Sequence, residues 1–119
     1  MDNSDNSYGL TEYELSDLIQ HDSNLLLYDL RKKEDFAKGH IKKSTLVQFN
    51  EKNLLNIPKS SKVVLISSDE EQSKMMTSVL RSNGITVFYL IGGIKKWSKG
   101  LYYTNISYVK TGNMQNEHC

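Results

Sequence analysis

One cysteine occurs in the 119 residues, and it is the last of them, Cys119. It has no second thiol to pair with, so an intrachain disulfide is excluded, and no thiolate cluster exists to hold a structural metal. His118 beside it adds one more ligand, while His21 and His40 fall in separate segments. A closed zinc site takes four donors, so no metal and no cofactor are expected. Long apolar runs are missing as well, and none approaches the ~20 residues that cross a bilayer. Nor does one sign of charge prevail. A count of 15 basic residues against 14 acidic leaves a formal charge of +1, which offers neither a nucleic-acid footprint nor attraction to anionic lipid. The opening Met1-Asp2-Asn3-Ser4-Asp5-Asn6-Ser7 lacks the basic start and apolar stretch of a secretory signal, so a cytoplasmic location is expected. What remains is a mixed composition, of a length that fits one domain around one core.

The pattern along the chain alternates short apolar runs with helical segments. Thr11 reads as a helix N-cap followed by acidic Glu12 and Glu14, with Leu15, Leu18 and Ile19 on one face. Leu25-Leu26-Leu27-Tyr28 suits a buried strand, and Lys33 to Lys38 a brief helix ended by Gly39. Leu46-Val47-Gln48-Phe49 is a weaker strand. Asn50 to Pro58 reads as a connection or short helix before the clear strand Val63 to Ile66. A helix from Ser73 to Ser82 ends at Asn83-Gly84, Thr86 to Leu90 forms another strand, and Gly92-Gly93 leads into a last helix around Ile94 to Lys99. Strands alternating with helices imply an α/β fold with a parallel sheet covered on both faces. The expected organisation is a flexible leader over residues 1–9, the folded domain over 10–101 and a partly disordered extension over 102–119. In that extension Tyr102-Tyr103, Ile106 and Tyr108-Val109 either cover the end of the sheet or contact a partner or second copy.

Three stretches carry a family resemblance. Asp29-Leu30-Arg31 followed by Glu34, Phe36 and Gly39-His40-Ile41 resembles the Asp-x-Arg segment and Gly-His-Ile signature of the rhodanese homology domain. Leu80, Asn83-Gly84 and Val87 follow that family's helix, turn and strand, and Leu90-Ile91-Gly92-Gly93-Ile94-Lys95-Lys96-Trp97 is similar to its closing Leu-x-Gly-Gly-x-x-x-Trp. The resemblance covers Leu10 to Leu101 and implies a central parallel sheet of about five strands with helices on both faces. It implies structural roles for Asp29, Arg31, Glu34, Gly39, His40, Gly92, Gly93 and Trp97. Arg31 and Glu34 read as an ion pair across a helix start. Lys32-Lys33, Lys42-Lys43 and Lys95-Lys96 read as solvated faces.

Rhodaneses place a nucleophilic cysteine directly after the strand that corresponds to Val63 to Ile66. Here that position is Ser67, and a serine hydroxyl cannot hold sulfane sulfur as a persulfide. The loop continues Ser68-Asp69-Glu70-Glu71-Gln72-Ser73, so three carboxylates stand where a strand-to-helix loop ordinarily attracts anions. The expectation is a catalytically inactive rhodanese-like domain that binds or regulates through Ser67 to Ser73, presenting an acidic surface to a basic or hydrogen-bond-donating group on a protein partner. Neither nucleic acid nor membrane is expected as a partner, and the chain is expected to be a monomer or weak homodimer. The alternative is an enzyme of altered mechanism, using Cys119 as sulfur carrier or Ser67 as a nucleophile with His40 and Asp29. A purely structural subunit is the third reading. The related architecture of dual-specificity phosphatases needs the same missing cysteine.

Overall fold

The computed structural model describes residues 8–48 and 62–103. The readings placed on Met1 to Ser7, on Asn50 to Pro58, and on Ile106, Tyr108-Val109, His118 and Cys119 lie outside the described residues. Strand β1 (Gly9–Leu10) leads into helix α1 (Glu12–His21), strand β2 (Leu25–Asp29), helix α2 (Lys33–Lys38) and strand β3 (Ser44–Leu46). Strand β4 (Lys62–Ile66), helix α3 (Glu70–Ser82), strand β5 (Val87–Leu90) and a 3-10 turn (Ile94–Lys96) complete it. The five strands form one parallel sheet in the order β1-β5-β4-β2-β3. Because every strand runs the same way, the segments that follow β2, β4 and β5 emerge together at the carboxyl edge, where ligands sit in open α/β sheets.

Strand β4 shows why the sheet is sealed on both sides. Val63, Val64, Leu65 and Ile66 are all fully buried, although side chains alternate between faces. Val63 and Leu65 pack with Leu80, Met76 and Ile85 under α3, whereas Val64 and Ile66 pack with Leu15 and Ile19 of α1 and with Trp97. Burial of each such side chain stabilises the fold by roughly 1.5–3 kcal/mol. The start of α1 is set by a capping box. The Glu14 amide donates to Thr11 Oγ1 at 3.1 Å, and the Thr11 amide donates to Glu14 Oε1 at 2.8 Å.

The structure corrects four local readings. The third strand is Ser44–Leu46, starting two residues before the Leu46 read for it and leaving Val47 and Gln48 outside it, while Phe49 lies outside the described residues. It starts early because the Ser44 amide and hydroxyl both donate to Ile41 O, at 3.0 and 2.6 Å, closing a turn through Lys43 at φ 70. Buried Ser44 and Thr45 conceal this strand from a search for apolar runs. Helix α3 begins at Glu70 rather than Ser73, because Asp69 is its N-cap and accepts the Glu71 amide at 3.1 Å. The closing helix is a single 3-10 turn, Ile94–Lys96, after which Ser98 is tied to Glu12 by its amide at 2.8 Å. Strand β1 was absent from the pattern altogether. Two residues are too short for a periodicity to register, and pairing of Gly9 with Tyr89 creates the strand. No helix among the described residues is long and apolar enough to cross a membrane.

Candidate functional site

The carboxyl end of β4 delivers Ser67 into a closed polar knot. Ser67 is 1% exposed, and its Oγ accepts the Ser73 amide at 3.0 Å. The same oxygen lies 2.9 Å from Ser73 Oγ and donates to the Asp69 carbonyl. Ser73 is buried too, with its hydroxyl on Glu70 O at 3.1 Å and its carbonyl accepting Thr77 Oγ1 at 2.8 Å. Two first-turn amides of α3, those of Glu71 and Ser73, are therefore taken by the Asp69 carboxylate and the Ser67 hydroxyl. A free helix N-terminus would hold an anion; this one is capped from within.

The Gly92-Gly93 turn clamps the knot from the side. Gly93 adopts φ 66, ψ −169, and a β-carbon there would come within 2.6 Å of Ser68 O and 2.7 Å of Asp69 Cα. That backbone region is essentially reserved for glycine, and the contact needs its missing side chain. Beyond it the Ile94 and Lys95 amides donate to Ser67 O and Ser68 O at 2.9 and 3.0 Å. The carboxylates are largely engaged. Glu70 Oε1 accepts the Gly92 amide at 2.8 Å while Oε2 lies 4.0 Å from Lys74 Nζ, and Asp69 Oδ2 lies 3.9 Å from Lys95 Nζ. Lys95 is exposed, as the solvated face read for it implies, and its contact with Asp69 is between two exposed side chains. Among the described residues the Glu71 carboxylate makes no ion pair or hydrogen bond; with Ser68 and Gln72 it faces solvent.

Asp29 and Arg31 form the neighbouring wall. The Asp29 carboxylate, fully buried, accepts the Arg31 amide at 3.0 Å and Arg31 Nε and Nη2 at 2.9 and 2.8 Å. Nη2 also donates to Gly39 O at 2.7 Å. Arg31 thus pairs with Asp29 and not with Glu34, because a residue two positions back at a strand end is held nearer than one on the helix that follows. His40 is fully buried, stacked on the Phe36 ring at 4.0 Å with Nδ1 2.8 Å from Phe36 O. Burial pulls its pKa below the ordinary histidine value, partly opposed by the Phe36 carbonyl and the Asp29 charge. Ser67, His40 and Asp29 share no hydrogen bond, so the structure does not assemble them as a nucleophile, base and orienting acid.

A groove of about 290 Å³ opens beside the knot, lined by Ser68, Arg31, Asp35, Lys38, Gly39 and Leu101. Leu101 and the Asp35 and Lys38 wall were not singled out as site residues in the sequence, which carries no pattern that joins them. Leu101 lies against Gly39, where a β-carbon would sit 3.1 Å from its Cδ1, and the next residue, Tyr102, exchanges two backbone hydrogen bonds of 2.7 Å with His40. Leu101 and Tyr102 therefore strap the turn that carries the Gly-His-Ile signature. Trp97 ties itself into the same exit, donating from Nε1 to Gly100 O at 2.9 Å. Among the described residues no group of three or more His, Cys, Asp or Glu is placed to hold a metal ion.

A family model described as a rhodanese-like domain matches residues 11–100. Among solved structures, a rhodanese-like domain protein from Staphylococcus aureus superposes with a TM-score of 0.71 at 23% identity, covering 82% of this chain and 98% of that one. A rhodanese-related protein from Thermoplasma volcanium gives 0.63 at 18% identity, over 75% and 88% of the two chains. Thiosulfate sulfurtransferase from Pseudomonas aeruginosa gives 0.72 at 18% identity, over 87% of this chain but 21% of that longer one. At these identities the structures establish the fold. No curated protein matches the chain.

Proposed function

The chain belongs to the rhodanese-like domain family, and from that premise we propose that it is a member without sulfurtransferase activity, acting as a binding or regulatory module. One observation carries the reading: the residue that follows β4 is a serine, buried, with its hydroxyl spent on Asp69 O and the Ser73 pair. Sulfur transfer needs a thiolate that attacks sulfane sulfur and carries it as a persulfide. Ser67 offers an unactivated hydroxyl, with no base hydrogen-bonded to it and no solvent access.

The binding surface is the part of Ser67 to Ser73 left outside the knot. Ser67 and Ser73 hold the turn together, while Ser68, Glu71 and Gln72 face solvent, Ser68 lining the groove of Arg31, Lys38 and Leu101. Glu71, the carboxylate not engaged internally, is the group that meets a basic or hydrogen-bond-donating residue of a protein partner. Asp69 and Glu70 support it from behind.

A thiosulfate:cyanide sulfurtransferase assay tests the first half of the reading, run on the whole chain, on Ser67→Cys and on Cys119→Ser. No thiocyanate above background is expected from the unmodified chain. Turnover that disappears with Cys119→Ser would overturn the proposal and make the terminal thiol the sulfur carrier. For the second half, amide NMR shifts on titration with a lysine-rich peptide are expected at Ser68, Glu71 and Gln72 and to be lost in Glu71→Gln. Shifts elsewhere would refute the assigned surface.

A further inference from the structure

A second groove is larger than the one beside Ser68, whose lining mixes Arg31 and Lys38 with Asp35. It encloses about 350 Å³ between α1, the turn before β3 and the exit from the 3-10 turn, and Lys42, Lys43 and Lys99 line it without any carboxylate. Trp97 and Tyr102 supply its aromatic surface. In a chain whose formal charge is +1, three ammonium groups on one concave surface are a concentrated field. Lys43 Nζ donates to Ile19 O at 2.8 Å, which fixes it against the end of α1, and Lys99 Nζ sits 4.3 Å over the Tyr13 ring. Lys42 is exposed and meets no carboxylate among the described residues. Glu12 accepts the Ser98 amide and hydroxyl and feels the Lys99 charge, but it does not line the groove.

We propose that this groove docks an acidic peptide segment of a partner protein, its carboxylates on Lys42 and Lys99 and an apolar side chain over Trp97. This goes beyond the surface assigned above, which carries the other sign of charge. Three features select a peptide over a small phosphate ester. Lys42 and Lys99 come from separate segments and so match carboxylates spaced along a chain. No arginine fork and no glycine-rich nest of backbone amides lines the groove, and those are the devices that grip phosphate. Trp97 and Tyr102 line it and Lys99 lies over the exposed Tyr13 ring, the composition that protein interfaces favour.

Trp97 is the only tryptophan of the chain, so its fluorescence reads the groove directly. The probe is a glutamate-rich peptide with one central leucine, titrated into the full chain at low and at physiological salt. A saturable change in Trp97 emission is expected, weakening as salt rises. Lys42→Glu combined with Lys99→Glu is expected to raise Kd at least about tenfold, whereas Lys38→Glu, in the other groove, leaves it within about twofold. Lys42→Ala, an exposed position, serves if the double variant loses its far-UV dichroism, and is expected to raise Kd about threefold. No change in emission at millimolar peptide would overturn the proposal. So would an equal response to a glutamine-for-glutamate peptide, or tighter binding of inorganic phosphate or a nucleoside monophosphate than of the peptide.

Discussion

At the scale of single residues, the chemistry of this domain turns on two atoms, the Ser67 hydroxyl oxygen and the absent β-carbon of Gly93. The hydroxyl closes a ring of hydrogen bonds with Ser73 and Asp69, and the bare glycine lets the neighbouring turn press against the backbone of Ser68 and Asp69. Gly93→Ala adds a methyl where 2.6 Å is available and demands a backbone conformation that side chains avoid. It is expected to destabilise the fold by about 3 kcal/mol, checked by urea denaturation. His40 gives a pH signature. Its pKa in the fold is depressed from 6.5, so the unfolded chain binds the proton first. Its contribution to stability is whole above pH 6.5 and is lost as pH falls below that value. Denaturation midpoints measured from pH 7.5 to 5 are expected to fall, and to fall less in His40→Asn. Residue identities at these points were readable in the sequence, because Gly93, His40 and Asp29 occupy motif positions. The hydrogen-bond ring was not, since Ser67 and Ser73 meet only once the helix is known to begin at Glu70.

Elements are placed by their ends. Thr11 with Glu14, and Asp69 with Glu71, fix the starts of α1 and α3, and both caps are side-chain acceptors for backbone amides that would otherwise lack partners. Thr11→Ala is expected to lower stability by about 1 kcal/mol in thermal or chemical denaturation. Asp69→Ala is expected to cost about the same, the exposed pair with Lys95 adding little. The first cap was visible as a threonine ahead of an acidic turn. The second was obscured by its surroundings, since Asp69, Glu70 and Glu71 form one acidic run in which any member could begin the helix. Strand β3 was misplaced for a related reason: its buried residues are Ser44 and Thr45, satisfied by local hydrogen bonding rather than marked by hydrophobicity. Helix and strand periodicity recovered β2, β4, α2 and the body of α3, where apolar side chains fill a continuous face.

Over the whole molecule, the sheet, the knot and the two grooves depend on how the chain leaves its last turn. Leu101 contributes to the groove beside Ser68 and Tyr102 to the lysine groove, while the Tyr102 backbone pairs with His40. A chain ending at Gly100 loses both 2.7 Å hydrogen bonds and uncovers Gly39, and is expected to be about 2 kcal/mol less stable, with the His40 amide exchanging faster. The lysine groove was out of reach of sequence patterns, because Lys42 read as a solvated position and Lys99 as a helix end in a distant segment until the fold brings them onto one surface. The order of strands carries one more consequence. The sheet's long members, β2, β4 and β5, are interior, and among the described residues its open borders are the two residues of β1 and the three of β3. Borders so brief offer a neighbouring chain almost no ladder to extend, so the arrangement that gathers the loops after β2, β4 and β5 at one end also guards the domain against edge-to-edge aggregation.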